Sequence, residues 1–386
     1  MNVPKLRFKE FNEELNTFKI KDTGNVITGM TPSTADKENY GTEYLWVSPG
    51  DMGYSKYIAN TKTKLSLKGF NKTRQLPDNS ILVTCIGSTI GKMGMSNSTL
   101  STNQQINSII PTKIFNPNYL YYCINYNFPK FLNKISFQAV PIISKSEFEK
   151  LEIKCTPNLS EQEKIGNILD LLDKKIELQS KKIEDLKLFK KGLINHIIEN
   201  NEIEKISLKN ILVEQNNKTS KNNEYEILSS TSKGIYLQKD YFNKQAASDN
   251  NVGYKILKKN QLVLSPQNLW MGNINVNTEY NIGIVSPSYK IFNISNNINI
   301  DFFNYWIKSP KALFEYKISS EQGASIVRRN LNMDLFYKII VDVPRGKLQN
   351  KVGKIIKLLN LNIQYNEFLL QKLSELKKGF MQNMFV

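Results

Sequence analysis

A single histidine, His196, and three cysteines, Cys85, Cys123 and Cys155, are the first residues to weigh for chemistry in this 386-residue chain. One imidazole leaves serine-histidine-aspartate catalysis without a base unless His196 itself serves, and it makes a histidine-rich zinc site nearly impossible. The cysteines are far apart in sequence and form no CxxC pair. A zinc ribbon or dithiol motif therefore has no support, and the thiols fit buried small hydrophobes in a reducing compartment. Gly87-Ser88-Thr89-Ile90-Gly91-Lys92-Met93 resembles a phosphate loop but is one residue short and lacks the Ser/Thr after lysine, so it is read as a β-turn. No Pro-Pro dipeptide occurs, which removes the Asn/Asp-Pro-Pro-aromatic motif that would hold a flipped adenine. Pro77-Asp78 and Glu152-Ile153-Lys154 carry the letters of a nuclease carboxylate set, but they are widely separated and the second lies on an expected last strand. The expectation is a chain with no catalytic residue and no metal site.

The charge points elsewhere. Lysine and arginine number 52 against 35 acids, a net +17, in a chain that is 40% hydrophobic. That composition excludes global disorder, and the length suits two or three domains. A strongly basic protein seeks a polyanion, of which nucleic acid is the commonest in a cytoplasm. Met1-Asn2-Val3-Pro4-Lys5-Leu6-Arg7 has no apolar signal region and no run of eighteen apolar residues occurs. A cytoplasmic, DNA-associated protein that neither crosses a membrane nor leaves by a standard signal is expected.

What positions any binding residues is an internal repeat. Lys164-Ile165-Gly166-Asn167-Ile168-Leu169 aligns with Lys351-Val352-Gly353-Lys354-Ile355-Ile356, 187 residues on, and the register continues without a gap to Lys190-Lys191-Gly192 on Lys377-Lys378-Gly379. Both copies space apolar residues alternately by four and three, the seam of a coiled coil. The first seam is Ile165, Leu169, Leu172, Ile176, Gln179, Ile183, Leu186, and the second is Val352, Ile356, Leu359, Ile363, Asn366, Leu370, Leu373. The interruptions recur too: Gln179 aligns with Asn366, and Lys190 with Lys377. A polar seam residue lowers stability but fixes register or partner. Ser160 with Glu163 reads as a capping box for the first helix. A helix of roughly 37 residues would be on the order of 55 Å long, a spacer rather than a catalytic core.

The segments ahead of the helices are related more loosely. Leu151 to Pro157 and Ile339 to Pro344 are β-like runs ending in proline, Val140 aligns with Val327, and Asp78 to Thr84 resembles Lys259 to Ser265 at an offset of 181 (Asn79 to Asn260). Short helices are expected near Tyr119 to Asn133 and Phe302 to Lys317, their aromatics serving mainly as core. The resulting organisation is a globular domain at 1–157, a helix at 158–200, a second domain at 201–344 and a second helix at 345–386.

This arrangement resembles the specificity subunit of type I restriction-modification systems. Asn2-Val3-Pro4-Lys5-Leu6-Arg7-Phe8, Thr28-Gly29-Met30-Thr31-Pro32-Ser33, Gly87 to Lys92 and Leu159-Ser160-Glu161-Gln162-Glu163-Lys164-Ile165 look like family motifs. The second half departs from the pattern: Leu348-Gln349-Asn350-Lys351-Val352 has lost both acids, and Trp270-Met271-Gly272-Asn273 stands in place of Gly87 to Lys92.

The resemblance implies an α+β fold: two tandem mixed α/β target recognition domains, each followed by a long helix, with the helices pairing as an antiparallel coiled coil. It implies a non-catalytic DNA reader with one domain per half of a bipartite site. Two methyltransferase subunits and restriction subunits would be its partners. S-adenosylmethionine, ATP and Mg would serve those partners in adenine-N6 methylation and ATP-dependent cleavage, with no cofactor on this chain. Because amides pair bidentately with adenine, Gln104, Gln105 and Gln138 in the first domain and Gln267 and Asn268 in the second are the base-edge candidates. Lys72, Arg74 and Lys92 suit phosphates, and Arg328 and Arg329 suit guanine or phosphate. A coiled-coil adaptor or stand-alone DNA regulator is the alternative; a fused restriction-methylation enzyme would need motifs that are absent.

Overall fold

The computed structural model describes residues 3–53, 55–133, 141–241, 250–322 and 329–386. Met1, Asn2 of the opening motif, Gln138, Val140, Val327 and Arg328 lie outside the described residues. The chain divides into two units, Met1–Ile183 with Asn366–Val386, and Glu184–Tyr365. Each unit therefore holds one globular domain and a stretch of both long helices.

In the first unit, β1 (Asn16–Lys19), β2 (Gly24–Thr28), β3 (Ile81–Thr84), β4 (Met93–Ser96), β5 (Ile106–Pro111), helix α1 (Pro117–Leu132) and β6 (Glu152–Cys155) lead into the long helix α2 (Leu159–Glu199). The main sheet runs in the order β2-β5-β3-β4, all antiparallel, with Tyr57–Ile58 added parallel to β4. β1 pairs antiparallel with β6. A second sheet is built from short strands, among them Leu100–Thr102 parallel to Tyr44–Val47. β3 and β4 are buried at every position, so they are near-continuous apolar or small-residue runs rather than alternating ones.

The second unit repeats the plan. It contains β7 (Ile203–Ser207), β8 (Leu212–Gln215), β9 (Leu262–Leu264), β10 (Ile274–Val276), β11 (Lys290–Ile294), α3 (Ile300–Trp306), α4 (Pro310–Ile318) and β12 (Ile340–Pro344), then the long helix α5 (Lys347–Met384). Its sheet order, β8-β11-β9-β10, matches the first unit strand for strand, and β7 pairs with β12 as β1 does with β6. The aligned Asn79 and Asn260 both take a left-handed conformation, at φ 60° and 64°, just before β3 and β9. Their N–H groups donate to Ser96 O at 2.9 Å and Asn277 O at 2.7 Å. Asparagine tolerates that conformation better than other residues with a Cβ, so the turn is written into both copies.

Two details differ from the sequence reading. The first long helix starts a residue before the expected cap: Asn158 Oδ1, not Ser160, accepts the Glu161 N–H at 3.2 Å, because Leu159 is already helical. The helix expected over Phe302 to Lys317 is two helices, broken where Pro310 can only begin a new one; the Ser309 hydroxyl caps it by accepting from Ala312 N at 3.2 Å. The cysteines are buried and free as that reading has them, and Cys123 and Cys155, 32 residues apart, lie with sulfurs 3.4 Å from each other. The aromatics of α1 and α3 are core: Tyr122, Phe128, Phe302 and Phe303 are buried.

Each domain is fastened to its helix in the same way. Gln162, in the first turn of α2, accepts the N–H of Asn116 at 2.8 Å, and the aligned Gln349 of α5 accepts the N–H of Asn299. Asn116 and Asn299 are the N-caps of α1 and α3. One turn further on, Gly166 and Gly353 let the backbones close: an added Cβ would sit 2.9 Å from Asn116 Oδ1 in one copy and 2.1 Å from Asn299 Oδ1 in the other. The two glycines that end the repeat, Gly192 and Gly379, have nothing within 4 Å of that position. Gly353→Ala is expected to destabilise the chain by about 1–3 kcal/mol through overpacking. Gly379→Ala should be neutral or stabilising by up to about 1 kcal/mol. Urea unfolding of the two variants side by side checks the contrast.

Candidate nucleic-acid interface

The long helices supply the frame. Ile165, Leu169, Leu172, Ile183, Val352, Ile356, Ile363 and Asn366 are buried, and Ile176, Gln179, Leu186, Leu359, Leu370 and Leu373 are half-buried. Within the first unit the helices run antiparallel: Asp173 of α2 meets Lys377 of α5 at 2.5 Å, and six residues on, Gln179 meets Asn366. Gln179 Nε2 donates to Asn366 Oδ1 at 2.8 Å and to its carbonyl at 3.0 Å. The two seam amides that align in the repeat therefore bond each other. In the second unit Lys190, the aligned partner of Lys377, donates to Asn360 Oδ1 at 2.9 Å. Asn360 aligns with Asp173, so the same cross-helix contact is an ion pair in one unit and a lysine–amide hydrogen bond in the other.

On the first domain, three loops converge. Gly29 N donates to Ile106 O at 3.0 Å and Met30 N to Thr102 O at 2.8 Å, seating the 28–31 loop against residues 102–106. Gly29 is required there, since a Cβ would meet Asn103 O at 2.0 Å. On this seat the exposed Gln104 accepts from the Thr31 hydroxyl, and exposed Arg74 donates to Thr28 O at 2.7 Å. Arg74 and Gln104 are thus brought to one loop face. Gln105 is turned inward: its Oε1 accepts from Asn103 Nδ2 at 3.0 Å and its Nε2 reaches Ile86 O at 3.5 Å. Lys72 is exposed but tied to Asn39 Oδ1 at 2.9 Å and Asp36 at 3.2 Å. Lys92 is half-buried at the end of the Gly87 turn, its stem against Gly53.

The second domain gathers its candidates more tightly. Arg329 N donates to Gln267 O at 3.2 Å, and its guanidinium lies 5.1 Å from the centroid of the Trp270 ring, a cation–π placement. Gln267 is exposed beside it, while Asn268 uses its carbonyl to close the turn onto Met271 and Asn273. That turn is the counterpart of Gly87 to Lys92. Gly91 and Gly272 share a left-handed φ, 89° and 83°, and an added Cβ at either would meet a helix side chain at 3.1 Å, Phe128 or Leu313.

Two charged groups escaped the sequence reading. Arg7 grips Glu161 with two hydrogen bonds of 2.8 Å, and the hydrogen bond to Glu161 raises the guanidinium above its ordinary value. The loss of acid at the aligned Leu348 was the available signal. Lys56, nearly fully buried, donates to Asp170 at 2.6 Å. Burial pushes the Asp170 carboxyl up, but hydrogen bonds from Lys174 and Lys56 outweigh it and hold the group below the usual value. Among the described residues no cluster of three His, Cys, Asp or Glu could hold a metal, and no helix is long and apolar enough to cross a membrane.

Two copies of one α/β unit, each with loops beside a stretch of both long helices, define a tandem-repeat protein of mixed α/β domains and long helices. Residues 12–188 match the model of the type I restriction modification DNA specificity domain. The specificity subunit of the HindI type I restriction enzyme of Haemophilus influenzae is 34% identical over 139 residues, 35% of this chain and 30% of that one. The MjaIX specificity subunit of Methanocaldococcus jannaschii is 32% identical over 188 residues, 46% of this chain and 43% of its own. These matches span less than half the length of either relative. A crystal structure of a type I restriction-modification S subunit from M. genitalium shares the fold throughout, with a TM-score of 0.65 at 16% identity, covering 100% of this chain and 99% of that one. Residues 12–188 are thus similar to the type I restriction modification DNA specificity domain, and the chain as a whole shares the fold of a solved S subunit.

Replacing both Gln179 and Asn366 by leucine is expected to raise thermal stability while letting the helices slip, since an apolar pair gains burial but loses the bond that marks register. Cysteine cross-linking along the seam reads the outcome: one dominant cross-link in the parent chain, several in the variant.

Proposed function

We propose that this chain is the sequence-reading, non-catalytic subunit of a type I restriction-modification complex, each globular domain reading one half of a bipartite DNA site. The observation that carries this reading is the duplicated unit itself, with the Arg74–Gln104 loop face in one copy and the Gln267–Trp270–Arg329 cluster in the other. Exposed amides read base edges, and arginine and lysine supply phosphate affinity without sequence information. Gln104 and Gln267 are the better placed amides because their side chains are exposed, whereas Gln105 serves the scaffold. Arg329, backed by the Trp270 ring, reads guanine or grips phosphate. The helices act as a ruler that fixes half-site spacing.

Methyltransferase subunits dock on the helices, with restriction subunits joining them. The support is a set of large apolar residues that the seam leaves exposed: Leu171 and Leu178 on α2, and their aligned partners Leu358 and Tyr365 on α5. S-adenosylmethionine, ATP and Mg act on those partners, and this chain takes no cofactor of its own.

An electrophoretic assay with and without the methyltransferase subunits tests the reading. The chain alone is expected to bind DNA weakly and lose that binding steeply with salt, and the complex to bind one bipartite sequence about a thousandfold or more above random DNA. Equal, sequence-blind binding in both preparations would overturn it and favour a coiled-coil adaptor.

A further inference from the structure

The first unit contains a buried charge network whose two carboxylates have no counterpart at the aligned positions of the second, Lys357 and Asn360. Lys56 Nζ lies 2.6 Å from both Asp170 Oδ1 and Asn118 Oδ1, and 4.6 to 5.3 Å from the ring centroids of Tyr57, Tyr121 and Tyr122. Tyr57 OH donates to the same Asp170 oxygen at 3.1 Å, and Lys174 holds the other at 2.8 Å. One turn along α2, Asp173 accepts from Tyr122 OH at 2.6 Å and from Lys377 of α5 at 2.5 Å. Two carboxylates of one helix thereby bind the loop and helix of the recognition domain and, through Lys377, the opposing helix.

We propose that Asp170 and Asp173 are positioning residues that fix the rotation of the first recognition domain on the helix pair, and so lock spacing at the first half-site through ion pairs that the aligned Lys357 and Asn360 of the second unit do not make. This rests on the bipartite-reader function proposed above. Apolar packing of Ile165, Leu169 and Leu172 into the domain core attaches the helix to the domain. Rotation about that attachment is a separate matter. Beside the network lies a cavity of about 430 Å³ lined by Lys56, Tyr121, Asn125, Asp173 and Lys377, so close packing does not fix the angle there. Directional bonds do. A buried ion pair contributes little net stability, yet it tolerates few geometries, since any movement leaves a charge unpaired in a poorly solvated site. Burial draws Lys56 below the ordinary lysine value while Asp170 pulls it back, the balance expected of such a pair. In the second unit the positions aligned with Asp170 and Asp173 are Lys357, exposed, and Asn360, which bonds only the side chain of Lys190 among the hydrogen bonds described for it.

The test uses the full chain assembled with its methyltransferase subunits and duplexes in which the half-sites are constant and the spacer varies one base pair at a time. The unaltered complex is expected to prefer one spacer by about tenfold. Asp170→Asn with Asp173→Asn should bring the adjacent spacers within about threefold of it, while single-base changes in the half-sites cost what they cost the parent. Lys56→Arg should keep the preference, and Asn360→Ala should change it less than about twofold. If the double variant fails to assemble, the paired change Lys56→Met with Asp170→Leu, which leaves neither of these two charges buried and unpaired, is read in the same way. A folded variant that retains the full spacer preference overturns the lock, as does one that loses half-site and spacer discrimination together. A parent complex without any sequence preference would instead strike the bipartite reading beneath it.

Discussion

The glutamine in the first turn of each long helix, bonded to the backbone of the asparagine that caps a domain helix, is the contact on which the rest of the architecture depends. Gln162 to Asn116 and Gln349 to Asn299 weld a rod to a domain, and Gly166 and Gly353 permit the approach. A helix N-terminus leaves backbone donors without partners, so an amide that reaches back to the cap residue is both satisfying and orienting. Because the weld lies at the start of a helix of about 40 residues, a small error in its angle would be carried to the far end of the rod.

Around this common weld the two units have diverged in charge. The first adds Arg7 against Glu161 and Lys56 against Asp170, so that chain far from the helix in sequence is pinned to it by ions. The second replaces Glu161 by Leu348, which packs against its domain core, and Asp173 by Asn360. The scaffold is shared between copies where backbone geometry demands it, as at Asn79 and Asn260 or Gly91 and Gly272, and varies where a lysine meets either a carboxylate or an amide. These turns are held constant between the copies while the charged contacts around them differ, an arrangement that suits the proposed reading of two different half-sites.

Much of the helix pairing is legible in the sequence. The seam follows from four-three spacing, and its residues are buried or half-buried as that spacing requires. The polar pair Gln179 and Asn366 was visible as an interruption, although only the structure shows that they bond each other rather than equivalent partners elsewhere. What sequence could not supply were contacts between distant segments. Lys56 to Asp170 joins residues 114 apart, Arg7 to Glu161 joins residues 154 apart, and no periodicity announces either. For the loop candidates residue type only suggests a role, and whether an amide faces outward, as Gln104 does, or inward, as Gln105 does, is decided by the neighbouring loops.

The central claim is that two welded domains read two half-sites at a set distance. Methylome sequencing of cells with and without this chain, the methyltransferase partners unchanged, tests it most directly. The account predicts a methyladenine motif of two short specified blocks separated by a fixed unspecified spacer, present with the chain and lost without it. A motif that persists in its absence, or one that is contiguous with no spacer, would contradict it.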